Sequence, residues 1–314
     1  MIPALVLSAG LATRLRPLSL VRAKPALPVA GAPLAAHILR WLAGAGVTDA
    51  VLNLHHLPHT LTGALGDGAA LGLRVRYSWE VPLLGSAGGP RRALPLLGAA
   101  RFLIVNGDTL TDAPIAAAMA AHEASGALVT LVLVPNRHPD RYGGVRLDAD
   151  GAVTGFTPRG APDPAYHFVG VQVAEADAFA GVPDGTAAES MGEVYPALMA
   201  ARPGSIRSHV CDCRWDDVGT PADYLATALA VAARTGGPLV GAGSRVAASA
   251  VLRDTVVWDG ASVGDGASLT RCVVTDGARV PDRAIFENAT LRPAGGPLLP
   301  GERTRDGLAV GALT

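Results

Sequence analysis

Apolar residues recur at nearly every sixth position near the end of the chain. They are Val240, Val246, Leu252, Trp258, Val263, Leu269, Val274, Val280 and Phe286, and small residues and glycines fill the gaps. A six-residue period is typical of a parallel β-helix, in which each short strand buries its apolar face only against the next coil. We therefore predict a short C-terminal left-handed β-helix of about two to three coils. Because the register slips twice, a set of irregular hairpins is the alternative.

The first two thirds of the chain alternate between short apolar runs and amphipathic stretches. The runs at residues 4–7, 50–54, 73–77 and 102–106 predict strands, and PLAAHILRWLAGAG predicts a helix that ends on glycine. Such alternation is typical of βαβ units and a parallel sheet. We expect a Rossmann-like α/β domain, with a mixed, mostly parallel sheet flanked by helices, at residues 1–235. The β-helix and its tail would form a second domain at residues 236–314.

Charge and cysteine content exclude several classes of function. The formal net charge is −1 over 314 residues, and both signs are mixed along the chain. That balance offers no basic surface for a nucleic acid or an anionic membrane. No leader or membrane span is expected, so we predict a cytoplasmic protein. Cys211 and Cys213 are expected on one face of a strand, and with Cys272 they are interpreted as reduced structural thiols.

The segment LSAGLATRLRPLSLVRAKPALPV contains Lys24, the only lysine of the chain. The segment follows a predicted strand, so the backbone amides of Ala9, Gly10 and Leu11 can face an anion. Arg14 and Lys24 would add full charges, which suits a triphosphate. Lysine presents a compact ammonium, unlike the planar fork of arginine. The spacing matches neither a dinucleotide-binding loop nor a Walker loop. Chance survival of Lys24 on the surface is the alternative.

Two aspartates are candidates for holding a hard cation. Asp108, in the sequence NGD, follows the strand that ends at Asn106, where ligands of parallel sheets bind. A plain turn is the alternative, since NGD also favours one. Asp217 ends a predicted strand just before Thr220 and Pro221, a plausible helix start. Neighbouring residues of an extended segment face opposite ways, so at most one of Asp216 and Asp217 should point into a site.

The ordered motifs of this chain resemble the signature of the nucleotide-sugar pyrophosphorylases, the sugar-1-phosphate nucleotidyltransferases. They are LSAGLATRLRPLSLVRAKPALPV, LGSAGGP (84–90), VNGD (105–108), RYGGVRLDADGAV (141–153), FVGVQV (168–173) and WDDVGTPADY (215–224). The short hexapeptide tail resembles the mannose-1-phosphate guanylyltransferase branch in particular.

The resemblance implies a role for each matching residue. Arg14, Lys24 and Asp108 would be catalytic, and Asp108 and Asp217 would bind Mg²⁺. The substrate-binding residues would be Leu7, Ala9, Gly10, Glu80, Gly85, Ser86, Gly88, Asn106, Gly143, Arg159 and Gly170. The loop at residues 85–89 would line the base pocket, whereas Gly143 and the segment around Gly170 would face the sugar.

Three positions depart from the family pattern. The second glycine of the signature loop is Ala12, and the proline before the signature lysine is Ala23. The downstream EKP motif reads Pro158, Arg159 and Gly160. Arginine can still bind a phosphate, even in a bidentate manner, but the glutamate that would bind sugar hydroxyls is missing.

The resemblance predicts formation of a nucleoside diphosphate sugar and pyrophosphate, with GTP and mannose 1-phosphate as the expected substrates. Transfer to another sugar 1-phosphate from UTP or dTTP, and a nonenzymatic nucleotide-sugar-binding regulator, are the alternatives. An acyltransferase is disfavoured because no histidine lies in the hexapeptide region. His55, His56 and His59 are given no role. We expect the β-helix to mediate a homo-oligomer rather than chemistry.

Overall fold

The computed structural model of the protein describes residues 2–161 and 165–314. Its α-helices are α1 (Leu34–Gly44), α2 (Pro58–Leu65), α3 (Gly85–Leu97), α4 (Ile115–Ser125), α5 (Tyr195–Ala201) and α6 (Pro221–Thr235). None of these described helices combines the length and apolar character that a membrane crossing requires.

The strands follow one another along the whole chain. They are β1 (Ala4–Leu7), β2 (Pro28–Val29), β3 (Ala32–Pro33), β4 (Asp49–Leu54), β5 (Arg74–Trp79), β6 (Arg101–Asn106), β7 (Thr109–Thr111), β8 (Val129–Pro135), β9 (Gly144–Leu147), β10 (Val153–Thr157), β11 (Tyr166–Glu175), β12 (Ile206–Val210), β13 (Trp215–Asp217), β14 (Arg245–Val246), β15 (Val251–Arg253), β16 (Val256–Val257), β17 (Ser262–Val263), β18 (Ser268–Val274), β19 (Arg279–Val280), β20 (Ile285–Pro293), β21 (Arg303–Arg305) and β22 (Leu308–Ala312).

The residues fall into two compact units. The first unit comprises residues 1–10, 36–58 and 65–216, and the second comprises residues 11–35, 59–64 and 217–314. The signature segment from Leu11 onward therefore belongs to the same unit as the C-terminal repeats. The predicted domain boundary between residues 235 and 236 stays a prediction.

The first unit is built on a mixed sheet with the order β10-β9-β11-β6-β1-β4-β5, and β8 pairs with both β11 and β12. The neighbours β6, β1, β4 and β5 are parallel, whereas β11 runs antiparallel to β6. A single apolar cluster packs α3 and α5 against this sheet, with Leu5, Phe102, Ile104 and Tyr195 completely buried. The predicted α/β fold and the four predicted strands are confirmed.

One predicted strand is wrong. Strand β12 ends at Val210, and the residues from Cys211 to Arg214 lie in no strand. Burial and a hydrogen bond with Cys213 raise the pKa of the Cys211 thiol to about 12. The two thiols are therefore neighbours, but chain reversal between β12 and β13 brings them together rather than strand alternation. Both cysteines are free, as is the buried Cys272.

The second unit contains the predicted β-helix. Its short strands pair in parallel, and Arg245 lies beside Ser262, which lies beside Arg279. Each step advances the sequence by 17 residues, one short of three hexapeptides. One five-residue turn in each coil therefore explains the two register slips. The parallel pairing rules out the hairpin alternative for these coils. On the last coil, β22 covers β20 as an antiparallel neighbour.

Candidate functional site

The two loops expected to carry chemistry in the first unit begin side by side. Leu7 and Asn106 are register partners at the carboxyl ends of β1 and β6. The N–H of Gly107 donates a hydrogen bond of 2.9 Å to the Leu7 carbonyl oxygen. Asp108 follows at once, half-buried, and accepts a hydrogen bond of 3.2 Å from the Thr109 hydroxyl. The structure thus places Asp108 in the loop position that the sequence predicts.

Two of the predicted substrate residues, Asn106 and Gly170, are in contact. Gly170 has a φ of +78°, and a Cβ atom on it would lie 2.9 Å from the Cβ of Asn106. That separation is shorter than van der Waals contact, so only glycine fits here without displacing Asn106. The pairing of β11 with β6 brings the two residues together.

A buried polar chain organises the loops around Glu80. The Ser8 N–H donates to Asn53 Oδ1 at 2.6 Å, and Asn53 Nδ2 donates to Glu80 Oε1 at 2.7 Å. The other carboxylate oxygen, Oε2, accepts from the Leu84 N–H at 2.9 Å, and Glu80 is only 1% exposed. Glu80 therefore ties the start of α3 to β4 and β1. A substrate contact from Glu80 stays a prediction.

Sequence reasoning missed Asn53 because nothing about it is unusual. Only the fold shows that one amide connects the loop after β1 with the loop after β5. A Cβ atom on Gly89 would lie 2.7 Å from Glu80 Oε1 and 2.9 Å from Asn53 Nδ2. The second glycine of the GG pair thus makes room for this chain.

The predicted base loop packs against residues 186–190. The Ser86 hydroxyl donates to Glu189 Oε2 at 2.6 Å and accepts from the Ser190 N–H at 2.8 Å. A Cβ atom on Gly85, which has a φ of +75°, would lie 2.7 Å from the Ala188 carbonyl oxygen. Glycine is therefore needed here for a close backbone approach. Contact of Gly85, Ser86 and Gly88 with a base stays a prediction.

An aromatic cluster lies beside the predicted sugar residue Gly143. The ring centroids of Tyr142, His167 and Trp215 are 4.2 to 4.9 Å apart. Burial lowers the pKa of His167 to about 4, against a smaller opposing effect of its hydrogen bond with the Gly143 backbone. The imidazole is therefore neutral at pH 7. The rings lie in or near the motifs RYGG, FVGVQV and WDD, yet sequence reasoning missed them because it weighed charged residues and glycines.

Arg159 is exposed in a turn after β10. The neighbouring Gly160 N–H donates a hydrogen bond of 2.7 Å to the Pro139 carbonyl oxygen. The turn is thereby fixed, although the side chain of Arg159 extends from an exposed position. Binding of a sugar phosphate by Arg159 stays a prediction.

The signature segment of the second unit begins with a strained residue. Ala12 has φ 47° and ψ 48°, the left-handed conformation that glycine adopts without cost. Its carbonyl oxygen accepts hydrogen bonds from the Leu15 N–H at 3.0 Å and from the Ser19 hydroxyl at 2.8 Å. The departure from the family glycine thus leaves the loop in a glycine-like conformation.

Arg14 and Asp217 both lie against Gly219. A Cβ atom on that glycine would be 3.8 Å from Arg14 Nη1 and 3.5 Å from Asp217 Oδ2. The second unit therefore brings one predicted cationic residue and one predicted metal ligand to the same place.

Helix α6 starts directly after Gly219. Thr220 is its N-cap, Pro221 its first residue, and Asp223 completes a reciprocal capping box. The helix start expected at Thr220 and Pro221 is therefore confirmed. This rigid start fixes the backbone immediately after Asp217.

Lys24 is half-buried and opens a short 3₁₀ turn. The preceding Ala23 has a φ of −55°, within the range of the proline that the family pattern has there. Its N–H donates a hydrogen bond of 3.1 Å to the Thr60 hydroxyl, which proline could not make. Alanine thus keeps the local conformation and adds a tether.

The described residues contain no group of three or more His, Cys, Asp or Glu side chains that could hold a metal ion. Mg²⁺ usually binds through one or two carboxylates and completes its shell with water and substrate phosphates. The hard oxygens of Asp108 and Asp217 fit a metal that arrives with a nucleotide.

Comparison with known proteins identifies the family. The model of the nucleotidyl transferase family matches residues 3–234, so the chain belongs to that family. A mannose-1-phosphate guanylyltransferase of Mycobacterium tuberculosis is 35% identical over 225 residues, which are 71% of this chain and 63% of that relative. An N-acetylmuramate alpha-1-phosphate uridylyltransferase of Neisseria meningitidis is 37% identical over 223 residues, 69% of this chain and 93% of that relative.

A solved structure shares the fold. HddC from Yersinia pseudotuberculosis, complexed with GMP-PN, superposes with a TM-score of 0.64 at 20% identity, over 74% of this chain and 100% of that one. At this level of identity the likeness establishes the architecture and leaves substrates open.

Proposed function

We propose that the protein is a sugar-1-phosphate nucleotidyltransferase that forms a nucleoside diphosphate sugar and pyrophosphate. One observation carries the proposal: the family match over residues 3–234 encloses every predicted site residue, from Leu7 to Asp217. The charged residues that the chemistry needs, Arg14, Lys24 and the two aspartates, are all present.

In the proposed reaction, an oxygen of the sugar 1-phosphate attacks the α-phosphorus of the triphosphate, and pyrophosphate leaves. The protein must hold the reactants in line and neutralise charge, and it needs no nucleophile of its own. Arg14 and Lys24 would bind the triphosphate and the leaving pyrophosphate. Asp108 and Asp217 would hold Mg²⁺, which as a Lewis acid would stabilise charge on the phosphates.

We propose GTP and mannose 1-phosphate as the substrates, supported by the Mycobacterium tuberculosis relative and the guanylyltransferase-like base loop. A uridylyltransferase is the second candidate. It is favoured by the Neisseria meningitidis relative, of which the match covers 93%. The two candidates differ in both base and sugar, so a single substrate matrix separates them.

The test is a pyrophosphate-release screen of GTP, UTP, dTTP, ATP and CTP against mannose, glucose and N-acetylmuramate 1-phosphates with Mg²⁺. We expect GTP with mannose 1-phosphate to give the highest kcat/KM, and Asp108→Asn to abolish it. Asp150→Asn is the matched control, because Asp150 is exposed in the turn between β9 and β10. A tenfold preference for UTP, about 1.4 kcal/mol of transition-state binding, would favour the second candidate. No turnover with any pair would refute the enzyme.

We further propose that the β-helix mediates self-association, since its first coil presents an uncovered strand edge. Val240 and Val251 of the first coil are exposed, whereas β22 covers the last coil. A protein truncated after Gly237 should lose its oligomeric state by light scattering. Unchanged mass of a soluble truncated protein would contradict this role.

A further inference from the structure

Arg22 lies in the signature segment two residues before Lys24, yet it faces the β-helix. Its Nε donates to Asp276 Oδ2 at 2.6 Å, and its Nη2 donates to Asp276 Oδ1 at 2.7 Å and to Asp259 Oδ2 at 2.6 Å. The arginine side chain is only 17% exposed. A planar fork that meets one carboxylate in a bidentate manner fixes direction as well as distance.

The two aspartates hold equivalent places in the β-helix. Asp259 and Asp276 are 17 residues apart, the length of one coil, so they lie on successive coils. Trp258, immediately before Asp259, is completely buried, and its ring lies 5.6 Å from the Arg22 guanidinium carbon. Arg22 is thus held by two carboxylates and an aromatic face of one rigid element.

The other end of the segment is held by the same element. The Pro28 carbonyl oxygen accepts a hydrogen bond of 2.5 Å from the hydroxyl of Tyr224 on α6. That hydroxyl accepts in turn from Trp258 Nε1 at 2.8 Å, and both aromatic residues are completely buried. Lys24 therefore stands between two anchors, Arg22 and Pro28, that both lead to Trp258 and its neighbours.

We propose that the β-helix positions Lys24 for the triphosphate and that Arg22 is the positioning residue which transmits this. The proposal rests on the proposed function. A residue that binds phosphate from a fixed backbone loses less entropy on binding than one on a mobile loop. Since Lys24 would contact the triphosphate in both the ground state and the transition state, loosening its backbone should raise KM for the nucleotide more than it lowers kcat.

The test compares Arg22→Gln and Arg22→Lys with the wild type as full-length proteins. Glutamine removes both the charge and the fork, whereas lysine keeps the charge alone. Arg279→Gln is the matched control, because Arg279 is an exposed arginine of the same β-helix with no hydrogen bond or ion pair to residues 2–161 and 165–314.

We expect Arg22→Gln to raise the nucleotide KM at least tenfold, with kcat and the KM for the sugar phosphate changed less than threefold. Arg22→Lys should fall between it and the wild type, and Arg279→Gln should match the wild type within twofold. An unchanged nucleotide KM in Arg22→Gln would overturn the proposal. A parallel loss of kcat, both KM values and melting temperature would also overturn it, as it would show general destabilisation.

If Arg22→Gln does not fold, Asp276→Asn carries the same test, since Asp276 is 30% exposed and loses only one charge. We expect its nucleotide KM to rise at least threefold, and no rise would overturn the proposal.

Titration of GTP and of UTP with Mg²⁺, without a sugar phosphate, separates this proposal from the proposed function. An absence of turnover by the wild type would refute the enzyme, yet weaker nucleotide binding by Arg22→Gln would still support positioning. Equal affinity of the two proteins, or no binding by the wild type, would refute positioning.

Discussion

Replacing Ala12 with glycine should stabilise the protein, although the same change usually destabilises. Ala12 has φ 47° and ψ 48°, where a side chain costs about 1–2 kcal/mol. Glycine removes this cost but adds about 0.4–1 kcal/mol through the greater freedom of its unfolded chain. The difference predicts a net stabilisation of about 0.5–1 kcal/mol.

The matched control is Ala120→Gly, in the exposed middle of α4. There the backbone is helical, so glycine should lower the free energy of unfolding by about 1 kcal/mol. A third variant, Ala12→Val, places a branched side chain in the left-handed conformation and should destabilise by at least about 1 kcal/mol.

The assay is equilibrium unfolding in urea, with midpoints compared at equal m-values so that a shift reports stability alone. The expected order of midpoints is Ala12→Gly above wild type, and wild type above both Ala120→Gly and Ala12→Val. If Ala12→Gly and Ala120→Gly lose stability equally, the strain assigned to Ala12 does not exist.

Three further predictions concern charged residues. Lys24→Arg should lower the rate at least a hundredfold, roughly 2.7 kcal/mol, with little change in melting temperature, because a wider guanidinium would displace the triphosphate from its in-line position. Unimpaired kinetics would make Lys24 a chance survivor. Asp217→Ala should be inactive and Asp216→Ala active, and the reverse result would identify Asp216 as the ligand. Burial raises the pKa of Glu302, but hydrogen bonds from Arg292 and a backbone N–H outweigh it and hold that pKa below 4.5. The pair therefore stabilises above about pH 4.5 and is lost as pH falls through the lowered pKa. Glu302→Gln should cost about 3 kcal/mol near pH 7, and its urea midpoint should converge on that of the wild type in acid; a constant gap would contradict the assignment.

The sequence by itself determined the elements that depend on local pattern. The run ALVL became β1, the helix ending on glycine became α1, and the capping residues before Pro221 start α6. The hexapeptide period predicted the β-helix because each coil repeats the same burial requirement. The loop positions of Asp108 and Lys24 followed from the same local order, since a polar residue after a parallel strand has one available place.

Tertiary structure alone decided which residues meet across long separations. Arg22 lies 254 residues before Asp276, and in the sequence it looks like any other surface arginine. Asn53 joins two loops only because β4 lies between β1 and β5. The pattern predicted a strand through Cys211, but the chain has to turn there to reach β13. Hydrogen bonds and ion pairs of this kind depend on topology and register, and these are fixed by burial over the whole chain rather than by neighbours in sequence.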